Sequence, residues 1–309
     1  MTTSKLPFAD RLATAVLDKV SPVCVGLDPR WMSLPDVFRE NVAATDLTAK
    51  AKATAEYCKA VLDATAEFAP VVKPQAAFFE LLGPAGMQAL AEVIIHARQL
   101  GMLVLMDAKR GDIGSTAEGY AAAYLGDSSA WQCDALTINP YLGEDTLEPF
   151  IQAATREQAG IFTLVKTSNP GSGFIQNLEA DGSAVYKHVA RTVEKANQEF
   201  LSTNQPGISD CGPVGAVVGA TYPQELAELR DLMPHAWFLI PGFGAQGGTA
   251  EDVKAGFKST HPDAHVPLGA IVNSSRGIIF AYQQDRYAGK DWQEAVADAA
   301  RSMAQELIA

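Results

Sequence analysis

The chain has 309 residues, 48% of them hydrophobic, with a mean hydropathy of +0.01, enough to bury either one large α/β barrel or two ordinary domains. A formal charge of −12 and a pI near 4.9 exclude a general nucleic-acid surface, which needs clustered Lys and Arg, so any phosphate ligand has to be held locally. No uninterrupted run of about 18 apolar residues occurs, and the first residues carry charges where a signal peptide needs an apolar stretch; no membrane partner and a cytoplasmic location are expected.

Short apolar runs that end in Gly, Pro or charged residues recur along the chain. They read as strands at Val23 to Asp28, Val71 to Gln75, Met102 to Lys109, Ala135 to Pro140, Ile161 to Ser168, Val214 to Thr221, Trp237 to Phe243 and Leu268 to Ser275. Between them helical periodicity predicts helices such as Ala49 to Phe68, Gly86 to Leu100, Thr116 to Tyr124, Glu144 to Gln158, Ser183 to Leu201 and Pro223 to Met233. Strict alternation of strand and helix points to an α/β fold, a single (β/α)8 TIM barrel over residues 1–309, because no linker or charge block divides the chain. Two connections exceed barrel norms, Pro29 to Asp46 after the first strand and Asn169 to Gly182 after the fifth. The second is glycine-rich and is expected to act as a lid.

In such barrels chemistry sits at the C-terminal strand ends, where this chain places Asp28, Lys73, Asp107, Lys109, Asn139, Thr167, Ser168, Pro241, Gln246 and Arg276. The densest cluster follows the apolar run Leu103–Met106, where Asp107, Lys109 and Asp112 stand almost without spacer. Strand alternation sends Asp107 and Lys109 to one side, while Gly111 lets the chain turn and carry Asp112 elsewhere. The bare Asp-x-Lys-x-x-Asp pattern also fits a solvated ion pair at a strand exit. A strand covered on both faces, however, gives the charges a reason to be there.

Gly242 to Gly247 matches Gly-x-Gly-x-x-Gly, but its late position and the lack of an acid at the end of the next strand argue against a dinucleotide fold. Backbone N–H groups of this loop, with Arg276 after the eighth strand, instead read as a phosphate cradle at the usual barrel position. Cys24, Cys58, Cys133 and Cys211 form no Cys-x-x-Cys pair, and the five histidines avoid strand ends, so no metal site, disulfide framework or Ser-His-Asp triad is expected.

Taken together these residues resemble the orotidine 5′-monophosphate decarboxylase family, over nearly the whole chain and in the form of its longer bacterial branch. The segment Asp107-Ala-Lys109-Arg-Gly-Asp112-Ile113 is similar to the family's catalytic signature. Asp28 resembles its ribose-contacting aspartate, Lys73 its second-strand lysine, and Thr116 a ligand-contacting threonine that follows the signature. Ser168 resembles the serine that meets the pyrimidine, while Pro241, Gln246, Gly247 and Arg276 take the positions of ring-side and phosphate-side contacts. The resemblance implies a carbon–carbon lyase that makes uridine 5′-monophosphate from orotidine 5′-monophosphate in pyrimidine biosynthesis without a cofactor. On that reading Lys109 is expected to protonate C6 beside Asp107, with Lys73 and Asp112 continuing the alternation of charge. It also implies a homodimer in which Asp112, Ile113 and Thr116 reach the neighbouring subunit's site.

Two rivals stand beside this reading. Magnesium-dependent sugar-phosphate lyases with the same barrel and a related signature would need a carboxylate where the second strand offers Lys73. A non-catalytic nucleotide-binding barrel would not need alternating Lys and Asp.

Overall fold

The computed structural model describes residues 5–205, 207–220, 223–243, 249–260 and 266–309. Its centre is a closed barrel of eight parallel strands whose neighbours follow chain order. These are β1 (Val23–Leu27), β2 (Val71–Pro74), β3 (Leu103–Arg110), β4 (Ala135–Ile138), β5 (Gly160–Lys166), β6 (Val214–Val218), β7 (Phe238–Pro241) and β8 (Ala270–Ser274). β1 closes the ring, with Gly26 opposite Lys73 of β2 and Cys24 opposite Asn273 of β8.

Alternation along the strands splits the buried side chains into two clusters. Val72, Val104, Leu136, Ile161, Ile240 and Val272 belong to the cluster packed against the helices, whereas Val71, Leu105, Ala135, Phe162, Leu239 and Ile271 belong to a second, inner one. The inner cluster also contains Phe8, Leu12 and Val16 of α1 (Phe8–Lys19). This helix plugs the barrel floor: the Phe8 ring meets Phe162 edge-on at 6.1 Å, and a Cβ on Gly160 would stand 2.2 Å from it. The filled floor leaves the opposite, C-terminal end as the open mouth.

The outer layer comprises α2 (Leu47–Thr65), α3 (Gly83–Gln99), α4 (Gly114–Tyr124), α5 (Glu148–Arg156), α6 (Val185–Thr203), α7 (Pro223–Leu232), α8 (Ala250–Lys254) and α9 (Trp292–Ile308). Each of the eight strands expected from sequence is present, with ends shifted by a few residues. The eighth starts later than its apolar run, because Gly269 (φ +90°) breaks the backbone and Pro267–Leu268 pair antiparallel with Ser259–Thr260. The helix expected over Glu144 to Gln158 divides into a short turn, Glu144–Thr146, and α5, which begins with Pro149 in its first turn.

Neither long connection is structureless. Pro29 to Asp46 contains the helical turns Trp31–Ser33 and Asp36–Arg39. Asn169 to Gly182 folds into the turns Pro170–Ser172 and Gly173–Gln176 and a two-residue strand, Glu179–Ala180, which pairs with Ser183–Ala184. The Gln176 amide holds this loop to the end of β5: its Oε1 accepts from Thr167 N at 3.0 Å, and its Nε2 donates to Thr167 Oγ1 at 2.8 Å. Lys166 donates to Asn177 in the same loop.

Candidate active site

The barrel mouth is a cavity of about 320 Å³. Its lower wall is polar and buried: Lys73, Asp107, Thr137 and Asn273 are each less than a tenth exposed. They stand one inward step above the apolar inner cluster, so the same two-residue period that builds the core raises these groups into the mouth. Gly26 makes room for them, because a Cβ there would lie 2.0 Å from Ser275 Oγ and 2.9 Å from Asn273 Oδ1.

Asp107 is the hub. Its Oδ2 accepts from Lys73 Nζ at 2.7 Å and from Gln75 Nε2 at 2.9 Å; its Oδ1 accepts from Lys109 Nζ at 2.6 Å and from Thr137 Oγ1 at 3.0 Å. Burial alone would raise the Asp107 carboxyl, but the two ammonium groups outweigh it and hold the group well below the usual carboxylate range. Burial alone would likewise lower the Lys73 ammonium, and the charges of Asp107 and Asp28 overcome that and raise it. Both groups are therefore ionised at neutral pH.

Lys109 reaches the hub by a route that plain alternation does not describe. The ladder between β3 and β4 shifts register between Met106 and Arg110, and Lys109 takes a left-handed conformation with φ +47°. Its N–H leaves the ladder and donates to Thr137 Oγ1 at 2.9 Å. A non-glycine residue held in this region costs about 1 kcal/mol or more, a strain that concentrates at functional sites. The turn thus occurs at Lys109 itself. Gly111 is required for a different reason: a Cβ there would stand 2.8 Å from the carbonyl oxygen of Asn139.

Of the residues expected from sequence, Asp28, Lys73, Asp107, Lys109, Ser168, Pro241 and Arg276 all line this cavity. Asp112, Ile113 and Thr116 do not: Asp112 Oδ1 accepts from Ile113 N at 2.8 Å, Ile113 is 63% exposed, and Thr116 opens outward on the first turn of α4. Gln246 and Gly247 lie outside the described residues, and with them most of the expected anion loop. Its first residue, Gly242 (φ +103°), lines the cavity with Arg276.

Sequence reasoning missed Gln75, Thr137, Asn273 and Arg30, which also line the mouth. Gln75 and Thr137 share the inward period of Lys73 and Asp107, the one signal that marks them. The side-chain oxygens of Asp28 (Oδ1) and Asn273 (Oδ1) are buried without a hydrogen-bond partner among the described residues. Both side chains line the cavity, where they suit a ligand's hydroxyl or amide donors. Among the described residues no group of three or more His, Cys, Asp and Glu side chains could hold a metal ion. The four cysteines are buried and unpaired, and burial pushes the Cys24 thiol up to about 12. His96 and His235 bind Asp63 and Glu194, away from the mouth.

A closed parallel barrel whose strand ends assemble Lys73, Asp107 and Lys109 opposite Arg276 defines a (β/α)8-barrel enzyme with its charged centre at the mouth. The sequence model of the orotidine 5′-phosphate decarboxylase / HUMPS family matches residues 21–291, and the chain belongs to that family of decarboxylases. The chain is 49% identical over 310 aligned residues to an orotidine 5′-phosphate decarboxylase of Rhodopirellula baltica, covering 98% of this chain and 99% of the relative. It is 40% identical to that of Deinococcus radiodurans, covering 94% and 96%. Among solved structures, OMP decarboxylase of Leishmania donovani matches with a TM-score of 0.73 at 34% identity, over 98% of this chain and 97% of that one.

Proposed function

We propose that this chain, read as one domain over residues 1–309, converts orotidine 5′-monophosphate to uridine 5′-monophosphate in cytoplasmic de novo pyrimidine biosynthesis, without metal or organic cofactor. The observation that carries the proposal is the row Lys73–Asp107–Lys109 at the cavity wall, with contacts of 2.7 and 2.6 Å, facing the Arg276 side of the same cavity.

Arg276 and the Gly242–Gly247 loop take the phosphate, Asp28 accepts from the ribose, and Ser168 with Pro241 borders the pyrimidine. That clamp sets the C6 carboxylate beside Asp107 and C6 beside Lys109. The C6–carboxylate bond breaks, its electron pair stays on C6, and carbon dioxide leaves. Negative charge therefore moves from a position near Asp107 to one near the Lys109 ammonium, so the fixed cation stabilises the later state more than the earlier one. Lys109 Nζ then gives its proton to C6 and recovers one from solvent. Asp107 positions Lys109, and Lys73 and Gln75 position Asp107.

The outward position of Asp112, Ile113 and Thr116 supports a homodimer in which these residues complete a neighbouring subunit's mouth. Metal independence separates this proposal from a magnesium-dependent sugar-phosphate lyase. The purified chain is expected to discharge the ultraviolet absorbance of orotidine 5′-monophosphate in excess chelator. Turnover that appears only on adding Mg²⁺, or none at all, contradicts it.

A further inference from the structure

Beside the mouth lies a second cavity of about 610 Å³, lined by Arg30, Arg276, Arg286, Gln283, Gln284 and neighbouring residues of the β1 and β8 connections. It shares Arg30 and Arg276 with the first cavity, so the two adjoin across these side chains. No Asp or Glu lines it, although the chain carries a formal charge of −12 and Asp285 precedes Arg286.

Elsewhere in the described residues the arginines have acceptors: Arg191 donates to Ser183 Oγ and Arg230 to backbone carbonyls. Arg11, Arg39, Arg98, Arg110, Arg156 and Arg301 each pair with a carboxylate. Arg30, Arg276 and Arg286 pair with none among the described residues. Arg286 is also held in place. Gln284 donates to Gly277 O at 3.0 Å and accepts from Arg286 Nε at 3.1 Å, while the guanidinium lies 4.7 Å from the Tyr287 ring centroid. Stacked and anchored through Nε, the guanidinium keeps both terminal nitrogens without an acceptor among the described residues. This is the fork that binds a phosphate bidentately.

We propose that this cavity is a second phosphate subsite, which accepts the β-phosphate of a nucleoside 5′-diphosphate whose α-phosphate sits on Arg276. The inference rests on the phosphate reading of the first cavity. It makes the enzyme sensitive to polyphosphorylated forms of its own product: a pyrimidine nucleoside diphosphate competes with substrate and gains affinity from contacts that the monophosphate cannot make. The distinguishing residue is Arg286, which the decarboxylation itself does not use.

The test compares uridine 5′-monophosphate and uridine 5′-diphosphate as competitive inhibitors of the wild type and of Arg286→Gln at about 0.15 M salt, where long-range charge effects are screened beyond roughly 8 Å. The expected result is that the diphosphate binds more tightly than the monophosphate to the wild type. Arg286→Gln should weaken the diphosphate roughly tenfold, as for loss of a charged hydrogen bond, and leave the monophosphate and kcat/KM for substrate unchanged. A free-anion site would instead show inorganic phosphate binding together with the monophosphate, with no advantage for the diphosphate; that result overturns the proposal, as does an equal loss for both nucleotides in Arg286→Gln. If the monophosphate fails to compete at all, the reading of the first cavity is wrong and the subsite falls with it.

Discussion

Asp107 is one carboxylate between two ammonium groups, and removing its charge exposes what it compensates. In Asp107→Asn the buried Lys73 loses its main partner, and breaking a buried pair from one side costs about 3 to 5 kcal/mol. Urea denaturation should read that loss at pH 7. The pH dependence has a defined sign. Asp107 is depressed in the folded chain, so its contribution is complete above the unfolded carboxylate value of about 4 and disappears as pH falls through the lower native value. Lys73 is raised, so its contribution is complete below the unfolded value of about 10.4 and disappears as pH rises through the native one. The stability gap between wild type and Asp107→Asn should therefore be full just above about pH 5 and shrink as pH falls below about 4. A gap that stays constant as pH falls below about 4 contradicts the ionised pair. At this scale Lys73, Asp107 and Lys109 were legible because charges directly after an apolar run are conspicuous. Thr137 and Asn273 were not, because a polar residue near a strand end joins a site only through the register of its neighbours, which sequence does not display.

At the scale of elements, the eight strands could be read from apolar runs and the helices between them from periodicity. What the pattern could not show was the bulge that turns Lys109 into the mouth, since a left-handed residue leaves no mark in hydrophobicity. Nor did it assign α1, whose amphipathic face fills the barrel floor instead of covering a strand pair. That helix supplies a prediction. Phe8→Ala empties a buried aromatic position against Phe162 and should destabilise the chain by about 3 to 5 kcal/mol. Denaturant titration checks this, and a loss below about 1 kcal/mol would mean that the floor is not part of the cooperative core. Substrate affinity measured well below the transition should change little, because the mouth lies at the opposite end. In the loop Asn169 to Gly182, expected from sequence to act as a lid, Gly171 and Gly173 sit in helical turns, and of its glycines Gly182 alone takes a positive φ.

At the scale of the whole molecule, the site of one chain is assembled from strand ends on all sides of the barrel, yet part of its signature faces outward. Asp112, Ile113 and Thr116 follow Lys109 by only a few residues and still miss the cavity that it lines. If they serve a partner's mouth, two inactive variants should repair each other. Mixing Lys109→Ala and Asp112→Asn under conditions of subunit exchange should regenerate intact sites at about a quarter of the wild-type number, as a two-fold symmetric dimer requires. Absence of recovery, or a fully active monomer by gel filtration, contradicts the shared site. This arrangement was available from resemblance alone, because nothing in composition or periodicity distinguishes a residue that reaches a second chain from one that is merely exposed.

The central claim is that a cation fixed at C6 stabilises the carbanion more than it binds the nucleotide, and it is tested by measuring kcat and product affinity together in Lys109→Ala. In that variant kcat should fall by at least about 10³-fold while the dissociation constant of uridine 5′-monophosphate stays within a few-fold of wild type. Parallel losses in both quantities, or an unchanged kcat, would contradict it.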